Sequence, residues 1–264
     1  MEKIHSCNLP EFATVDVCKT DLKENDRNDS GPDNLTENFI FKSRKLRYRC
    51  INGVSDDVPK CPKNMSDILK AERVVPDVID NVPKHHIDIE YNQHCFINFG
   101  NMLKPEEVYW RTFAIDWFCY REQYFTFMLV GPDEPSRDAP TDREFLHWLI
   151  VNIPIDAVIC GDERVEYIPP TPKKDTGVHR YVYVVLQQAQ DKMTFDEPHL
   201  KNTSIAERKN WSTKAFMKKY GFKEAHAVNF FKSEWQDPSI TTKSPWDVEA
   251  PRKRRLRTKK PTTL

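Results

Sequence analysis

Apolar residues are distributed unevenly along the chain, and their distribution separates a polar first segment from a patterned remainder. Up to residue 62 they occur only in isolated pairs such as Phe39-Ile40, among Asn, Asp, Lys, Ser and Thr. Because such a composition cannot bury enough apolar surface to offset the entropy of ordering, we expect residues 1–62 to form a disordered or weakly ordered extension.

Strand patterns dominate the middle of the chain. β-branched and aromatic residues crowd into short runs at 87–91, 96–99, 112–118, 125–130, 146–153, 181–188 and 227–235. A helix is expected late, with Ser212 or Asn210 as its N-cap and Gly221 after its end, and a shorter helix is expected from Ser66. Many strands and few helices predict a mainly β fold, with residues 63–240 as one domain.

Two local patterns are interpreted as structural. The aromatic strip formed by Tyr109, Trp110, Phe113, Trp117 and Phe118 is interpreted as core packing, not as a ligand platform. The pair His85-His86 follows Lys84, and we interpret it as a solvated strand start.

The charge totals are balanced, but the two ends of the chain are not. Forty Lys and Arg residues offset forty Asp and Glu residues, so the net charge gives no global attraction to nucleic acid or to an anionic membrane. Residues 241–264 end in the basic run Arg252 to Lys260 and are predicted to be a disordered tail. Nucleic acid is a candidate partner only through this run, which has two other interpretations: a nuclear-import signal or a solvated end.

Targeting and redox signals are weak. No window holds the roughly 18 consecutive apolar residues of a transmembrane helix, and the first residues lack an apolar signal core. A cytoplasmic location is therefore predicted, with the nucleus or the mitochondrion as alternatives. The seven cysteines form no Cys-x-x-Cys pair, which favours reduced, structural thiols.

The chain carries no motif of a common enzyme class. Gly-x-Ser-x-Gly, Gly-x-x-x-x-Gly-Lys-Ser/Thr, Gly-x-Gly-x-x-Gly and His-Glu-x-x-His are all absent from the sequence. We therefore predict no enzymatic activity, no catalytic residue, no cofactor and no metal site.

Three segments carry the candidate chemistry. Gly131-Pro132-Asp133-Glu134-Pro135-Ser136-Arg137 places a carboxylate beside prolines, and His147 and His179 follow in Glu144 to Trp148 and in Thr176 to Tyr181. A carboxylate near an imidazole fixes its tautomer and raises its pKa, so such a group can receive an anion. One alternative is a metal triad of two histidines and one carboxylate, but no His-x-His spacing supports it. A second alternative is that the two histidines are ordinary hydrogen-bonded residues at strand ends.

The order and spacing of these segments resemble the phosphatidylethanolamine-binding protein family, and the resemblance extends from about residue 74 to 235. It implies a large antiparallel sheet packed on a smaller sheet, with a few peripheral helices and a shallow pocket for a phosphate or a phosphorylated head group. It also implies a cis peptide bond at Glu134-Pro135. The chain has Gly131 where the family has an aspartate, so one of two pocket carboxylates is expected to be missing.

The resemblance also implies the ligand-binding residues. Asp133 is the expected pocket carboxylate, and His147 and His179 are the expected imidazoles. The expected walls of the pocket are Pro135, Tyr167, Pro172 and Tyr181.

Function follows from the same resemblance. It implies a non-enzymatic binding protein for the phosphatidylethanolamine head group or a phosphorylated ligand, with protein kinases or proteases as candidate partners regulated by protein–protein interaction. The alternative is a structural domain of this kind in a mitochondrial large-subunit ribosomal protein, with a degenerate pocket.

Overall fold

The computed structural model describes residues 62, 64–91, 95–112, 114–120, 122–189 and 191–237. Its helices are α1 Met65–Ala71, α2 Val74–Asp77 and α3 Thr213–Tyr220, and short 3-10 turns span Pro105–Val108, Val158–Cys160 and Ala206–Arg208. Its strands are β1 His85–Glu90, β2 Asn101–Met102, β3 Ala114–Trp117, β4 Tyr124–Gly131, β5 Phe145–Pro154, β6 Asp162–Val165, β7 Val178–Gln187 and β8 Ala227–Glu234.

The strands form one sheet in the order β3-β1-β8-β7-β4-β5-β6, with β2 also paired to β8. The pairings of β8 with β1 and with β2 are parallel, and the remaining ladders are antiparallel. The mainly β fold with few helices is therefore confirmed. Neither β2 nor β6 was predicted, because β2 has only two residues and β6 is an edge strand with Val165 as its one buried side chain.

The central strands are buried on both faces. Nearly every residue of β4, β5 and β7 is buried, so these strands are continuous apolar runs in place of the alternation seen where one face meets water. On one face β1 and β3 cover the sheet, and Trp117 of β3 stacks 6.3 Å from Phe127 of β4. On the other face the three helices pack, with Phe216 of α3 stacked 5.9 Å from Phe195.

The late helix forms as its sequence predicts. The Ser212 side chain accepts a hydrogen bond from the Ala215 amide, and Gly221 ends the helix in the left-handed region at φ 74°. The first helix begins one residue before the predicted cap, at Met65, and its N-cap is Asn64.

A buried asparagine holds the place where the sheet divides. β1 pairs with β8 only at its first two residues and then pairs with β3, so main-chain groups are left beside Asn229 of β8. The Asn229 amide donates to the carbonyls of Ile87 and Ile97, at 2.7 and 3.2 Å, and its oxygen accepts from the Phe99 amide at 3.0 Å. This side chain replaces the missing strand partner and lets β1 curl over the sheet.

Several expectations are corrected here. Tyr109 and Trp110 are exposed, by 53% and 66%, so they are not core residues, whereas Trp117 is. His85 stacks on Phe118 at 4.6 Å and lies 4.8 Å from the His226 ring, so it is part of a ring cluster and not a simple solvated strand start. Cys160 is disulfide-bonded, which is contrary to the expectation of reduced thiols.

Residues 1–61 of the predicted N-terminal extension and the whole predicted tail, 241–264, lie outside the described residues. Within the described part of the chain, no helix is both long and apolar enough to cross a bilayer. The limits of the predicted domain, 63–240, remain a prediction.

Replacing Asn229 by Leu is expected to lower the free energy of unfolding by about 2–4 kcal/mol, because two carbonyls and two amides, those of Phe99 and Phe230, lose their buried partner. Denaturant unfolding measures this loss. Asn98→Ala, at an exposed position nearby, serves as the control and is expected to change stability by less than about 0.5 kcal/mol. Equal losses in the two variants would mean that Asn229 does not hold the division of the sheet.

Candidate functional site

A buried ion pair joins the loop after β4 to strand β7. Asp133 and Arg180 are both fully buried. The Arg180 main-chain amide and Nε donate to Oδ2 of Asp133 at 2.8 Å each, and its Nη2 donates to Oδ1 at 2.6 Å. Both carboxylate oxygens are therefore engaged, and two distant segments are fixed in one register.

The same guanidinium reaches the N-terminal helices. Arg180 Nη1 donates to the Glu72 carbonyl at 2.7 Å, and Nη2 donates to Asp77 at 3.0 Å. Arg143 adds a bond of 2.6 Å to the Pro132 carbonyl and lies 3.6 Å from Asp133. Since Arg180 has carboxylate or carbonyl acceptors on three segments, its burial is compensated by charge-assisted hydrogen bonds.

His147, on β5, has one engaged and one bare ring nitrogen. Its Nδ1 lies 2.9 Å from the Ile168 carbonyl, which can only accept, so Nδ1 carries the proton in this contact. Nε2 is buried and has no hydrogen-bond partner in the described structure. Burial lowers the pKa of His147 to about 4, so the ring is neutral at pH 7 and Nε2 offers a lone pair.

His179, on β7, has the opposite tautomer. The Thr176 hydroxyl donates its one hydrogen to the Lys173 carbonyl at 2.7 Å and must therefore accept from His179 Nε2, which is also 2.7 Å away. In the neutral ring Nδ1 is then the bare nitrogen. It is buried, and within the described residues it has no hydrogen-bond partner.

Tyr181 lies between the two imidazoles. Its ring stacks against His179, with centroids 6.4 Å apart, and meets His147 edge-on at 5.3 Å. The hydroxyl is buried, and no described residue bonds to it. Burial raises the pKa of Tyr181 well above its usual range, so the hydroxyl keeps its hydrogen and can donate it.

Gly131 keeps the space beside these rings open. A Cβ at this position would lie 3.1 Å from Nε2 of His147 and 3.6 Å from the Tyr181 ring. The absent side chain therefore leaves room next to the bare nitrogen of His147.

Glu134 supplies the carboxylate of the group. Its Oε1 lies 3.6 Å from Nδ1 of His179. Burial lowers the pKa of His147, and the charge of Glu134 opposes that effect. Burial raises the pKa of Tyr181, and the charge of Glu134 raises it further. Its side chain is 20% exposed, whereas His147 and His179 are almost fully buried, so Glu134 lies on the solvent side of the group.

A second buried cation lies behind His147. Arg208 donates to four main-chain carbonyls, those of Ser204, Lys201, Leu146 and His147, at 2.7 to 3.2 Å. Burial lowers its pKa to about 10, which leaves the guanidinium charged at neutral pH. It ties the 201–208 segment to β5 at the histidine itself.

The structure brings together three of the predicted site residues, His147, His179 and Tyr181. Both oxygens of Asp133 are held by Arg180, and Glu134 is the carboxylate that lies next to His179, at 3.6 Å. A ligand contact of Asp133 stays a prediction. Glu134 was missed because the sequence shows two adjacent acids without showing which one faces the histidines. The chain therefore has a carboxylate here despite Gly131.

The predicted wall residues have mixed positions. The Tyr167 hydroxyl donates to the Val108 carbonyl at 2.5 Å and contacts Tyr91 at 3.1 Å, so its polar atom is already used. Pro172 is buried in the segment before β7, and Pro135 is half-buried after a cis Glu134-Pro135 bond, as expected. Their contact with a ligand remains a prediction.

Metal binding has no geometric support in the part of the chain that is described. No group of three or more His, Cys, Asp or Glu side chains lies close enough together there to hold an ion.

Comparison with known proteins agrees with this architecture. The family model described as phosphatidylethanolamine-binding protein matches residues 84–232, more than half of the chain. The chain belongs to this family.

Individual relatives extend the match. A Drosophila melanogaster protein named as odorant-binding protein A5 is 33% identical over 175 residues, 66% of this chain and 82% of that protein. The phosphatidylethanolamine-binding protein from Plasmodium vivax superposes with a TM-score of 0.57 at 18% identity, covering 64% of this chain and 97% of that one. A carboxypeptidase Y inhibitor, solved with its cognate proteinase, gives 0.54 at 20% identity, covering 64% and 94%. At these identities the two structures show a shared fold.

Removing the Asp133 carboxylate is expected to destabilise the protein strongly. In Asp133→Ala the buried Arg180 keeps only Asp77 as a counterion, so we expect the free energy of unfolding to fall by about 3–5 kcal/mol. Denaturant unfolding gives this value, and Asp138→Ala, at an exposed aspartate in the same loop, is the control. A loss no larger than that of the control would show that Asp77 alone balances Arg180.

His147 is expected to make stability depend on pH. Its pKa is about 4 in the folded state and about 6.5 when unfolded. Between these values the unfolded state binds more protons, so the free energy of unfolding falls as the pH decreases from 6.5 to 4, by about 3 kcal/mol in total. Unfolding curves at several pH values should be flatter for His147→Gln than for the wild type. The same pH profile in His147→Gln and in the wild type would contradict the assignment.

Proposed function

We propose that the chain is a non-enzymatic binding protein whose site takes the polar head group of a phospholipid such as phosphatidylethanolamine, or a soluble phosphorylated molecule of similar size. The supporting observation is one cluster of three buried polar atoms without hydrogen-bond partners in the described structure: Nε2 of His147, Nδ1 of His179 and the hydroxyl of Tyr181.

Such a cluster is unusual in a folded protein. About nine in ten buried polar groups are hydrogen-bonded, and an unpaired one destabilises the fold by about 1–3 kcal/mol. Nε2 of His147 and the Tyr181 ring border the space that Gly131 leaves open, and His179 stacks against that same tyrosine ring. A bound head group would provide the missing hydrogen bonds, and Glu134 on the solvent side marks the direction of entry.

The contacts of these residues support binding without catalysis. Among the described residues, Thr176 carries the one hydroxyl that is bonded to a site histidine, His179. This hydroxyl donates its hydrogen to the Lys173 carbonyl, so His179 does not act as a base toward it. Cys95 and Cys119 are buried, and burial raises the pKa of each thiol to about 12, so neither is a thiolate at neutral pH. No activated nucleophile is therefore seen among these groups.

A structural role in the mitochondrial ribosome is less well supported. That alternative supposes a degenerate pocket, whereas two imidazoles, a phenol and a carboxylate remain clustered in this chain. Regulation of proteases or kinases stays a proposal, because the likeness to the carboxypeptidase Y inhibitor is one of fold. The exposed Tyr109–Trp110 pair is a surface on which a protein partner can be sought.

A cytoplasmic location also stays a proposal. The disulfide at Cys160 argues for an oxidising compartment, since disulfides are rare in cytosolic proteins.

Phosphoethanolamine is expected to bind at the two site histidines. In ¹⁵N spectra of histidine-labelled protein, the ring signals of His147 and His179 should move on titration. The signals of His85 and His226 should not, because these rings lie where β1 and β8 begin, whereas the site lies at the end of β4 and the start of β7.

A steric variant checks the location. Gly131→Ala places a methyl group 3.1 Å from Nε2 of His147 and should weaken phosphoethanolamine binding at least tenfold. Absence of any site-histidine shift up to millimolar ligand, or equal shifts of all four histidines, would overturn the proposed function.

A further inference from the structure

Cys160 is the last residue of the 3-10 turn between β5 and β6, and it is disulfide-bonded. Its partner is neither Cys95 nor Cys119, because both of these thiols are free. The other four of the chain's seven cysteines all precede α1: Cys7, Cys18, Cys50 and Cys61. Within one chain, the partner of Cys160 therefore has to come from this set.

We propose that the disulfide of Cys160 fastens the segment before α1, residues 1–61, to the turn between β5 and β6. Whichever of the four cysteines takes part, the bond closes a covalent loop that contains α1, α2 and β1 to β5. Closing a long loop removes conformational freedom from the unfolded chain, and the stabilisation increases with the length of the loop. The polar N-terminal segment then contributes to the stability of the fold.

The turn is a rigid anchor for such a bond. The Cys160 amide donates to the Ala157 carbonyl at 2.8 Å, and the Gly161 amide donates to the Val158 carbonyl at 3.2 Å. Val158 packs against the core. Gly161 lies so close to β5 that a Cβ there would be 2.5 Å from the Ile150 side chain. Because a disulfide forms only within a narrow range of geometries, a fixed main chain on one side of the bond favours it.

The same turn is accessible from outside the fold. Cys160 is half-buried, and the neighbouring Ile159 is 87% exposed. A segment that approaches over the surface can therefore reach the Cys160 sulfur without crossing the core.

The two free thiols do not compete for this bond. Cys95 and Cys119 are buried, and burial raises the pKa of each to about 12. Disulfide exchange begins with the attack of a thiolate on a disulfide sulfur. Since neither thiol is ionised at neutral pH, exchange with the core cysteines does not displace the N-terminal segment.

Formation of the bond is an oxidation. The two thiols lose two protons and two electrons as the S–S bond forms. A second disulfide, carried by oxidised glutathione or by a disulfide-exchange protein, accepts them and becomes two thiols. Such oxidants are available in oxidising compartments, where disulfides persist.

Peptide mapping of the full chain, folded in a glutathione redox buffer, tests the linkage. Free thiols are blocked with N-ethylmaleimide in denaturant, and the protein is digested with trypsin without a reductant. Cleavage after Lys and Arg places Cys160, Cys95 and Cys119 in the separate peptides 144–164, 85–111 and 112–121. The N-terminal cysteines lie in the peptides 4–19, 50–60 and 61–63. We expect the Cys160 peptide to be linked to one of these three, and the Cys95 and Cys119 peptides to carry the blocking group.

Thermal unfolding measures what the bond contributes. Cys160→Ser should lower the Tm by at least about 5 °C. Reduction of the wild type with dithiothreitol should lower its Tm to that of the variant, whereas reduction should leave the Tm of the variant unchanged. The reduced wild type is the matched control, because it retains the Cys160 side chain and lacks only the bond.

Two results would overturn the proposal. The first is a Cys160 peptide that carries the blocking group, or that is linked to Cys95, to Cys119 or to Cys160 of a second copy. The second is an equal fall in Tm of wild type and variant on reduction, because the stabilisation would then come from another bond. Neither result affects the head-group function, since Cys160 follows the end of β5 and His147 lies near its start.

Discussion

The ion pair between Asp133 and Arg180 is the interaction on which the site depends. It is fully buried, both carboxylate oxygens are used, and it connects the loop after β4 with β7. Glu134 directly follows Asp133 in the chain, and His179 directly precedes Arg180. Because successive residues of a strand point to opposite faces, fixing Arg180 on the helix side presents His179 on the other side. The same bond positions Glu134 at its turn.

Through Arg180 the constraint extends to α1 and α2. Its bonds to the Glu72 carbonyl and to Asp77 attach the segment before β1 to the back of the sheet. Those helices contribute no side chain to the site. They matter because a buried guanidinium needs several acceptors, and the N-terminal segment provides two of them.

Much of the fold could be predicted from the sequence, and the reason is local. β4, β5 and β7 are long apolar runs, and α3 carries its own cap at Ser212 and its own stop at Gly221. β6 could not be predicted, because Asp162–Val165 has a polar pattern and becomes a strand only by pairing with β5. The resemblance to a family predicted His147, His179 and Tyr181 as site residues, and the structure places their rings next to one another, while their contact with a ligand stays a prediction. It did not distinguish Asp133 from Glu134, since the direction of a side chain in a turn depends on partners far away in sequence.

Arg208 illustrates a different kind of support for the same histidine. Its guanidinium is attached to four main-chain oxygens, which every residue type possesses. The side chains at 146, 201 and 204 can therefore be replaced without breaking the attachment. Arg208 itself cannot be replaced by lysine, because lysine has neither the planar fork nor enough N–H groups to reach four acceptors.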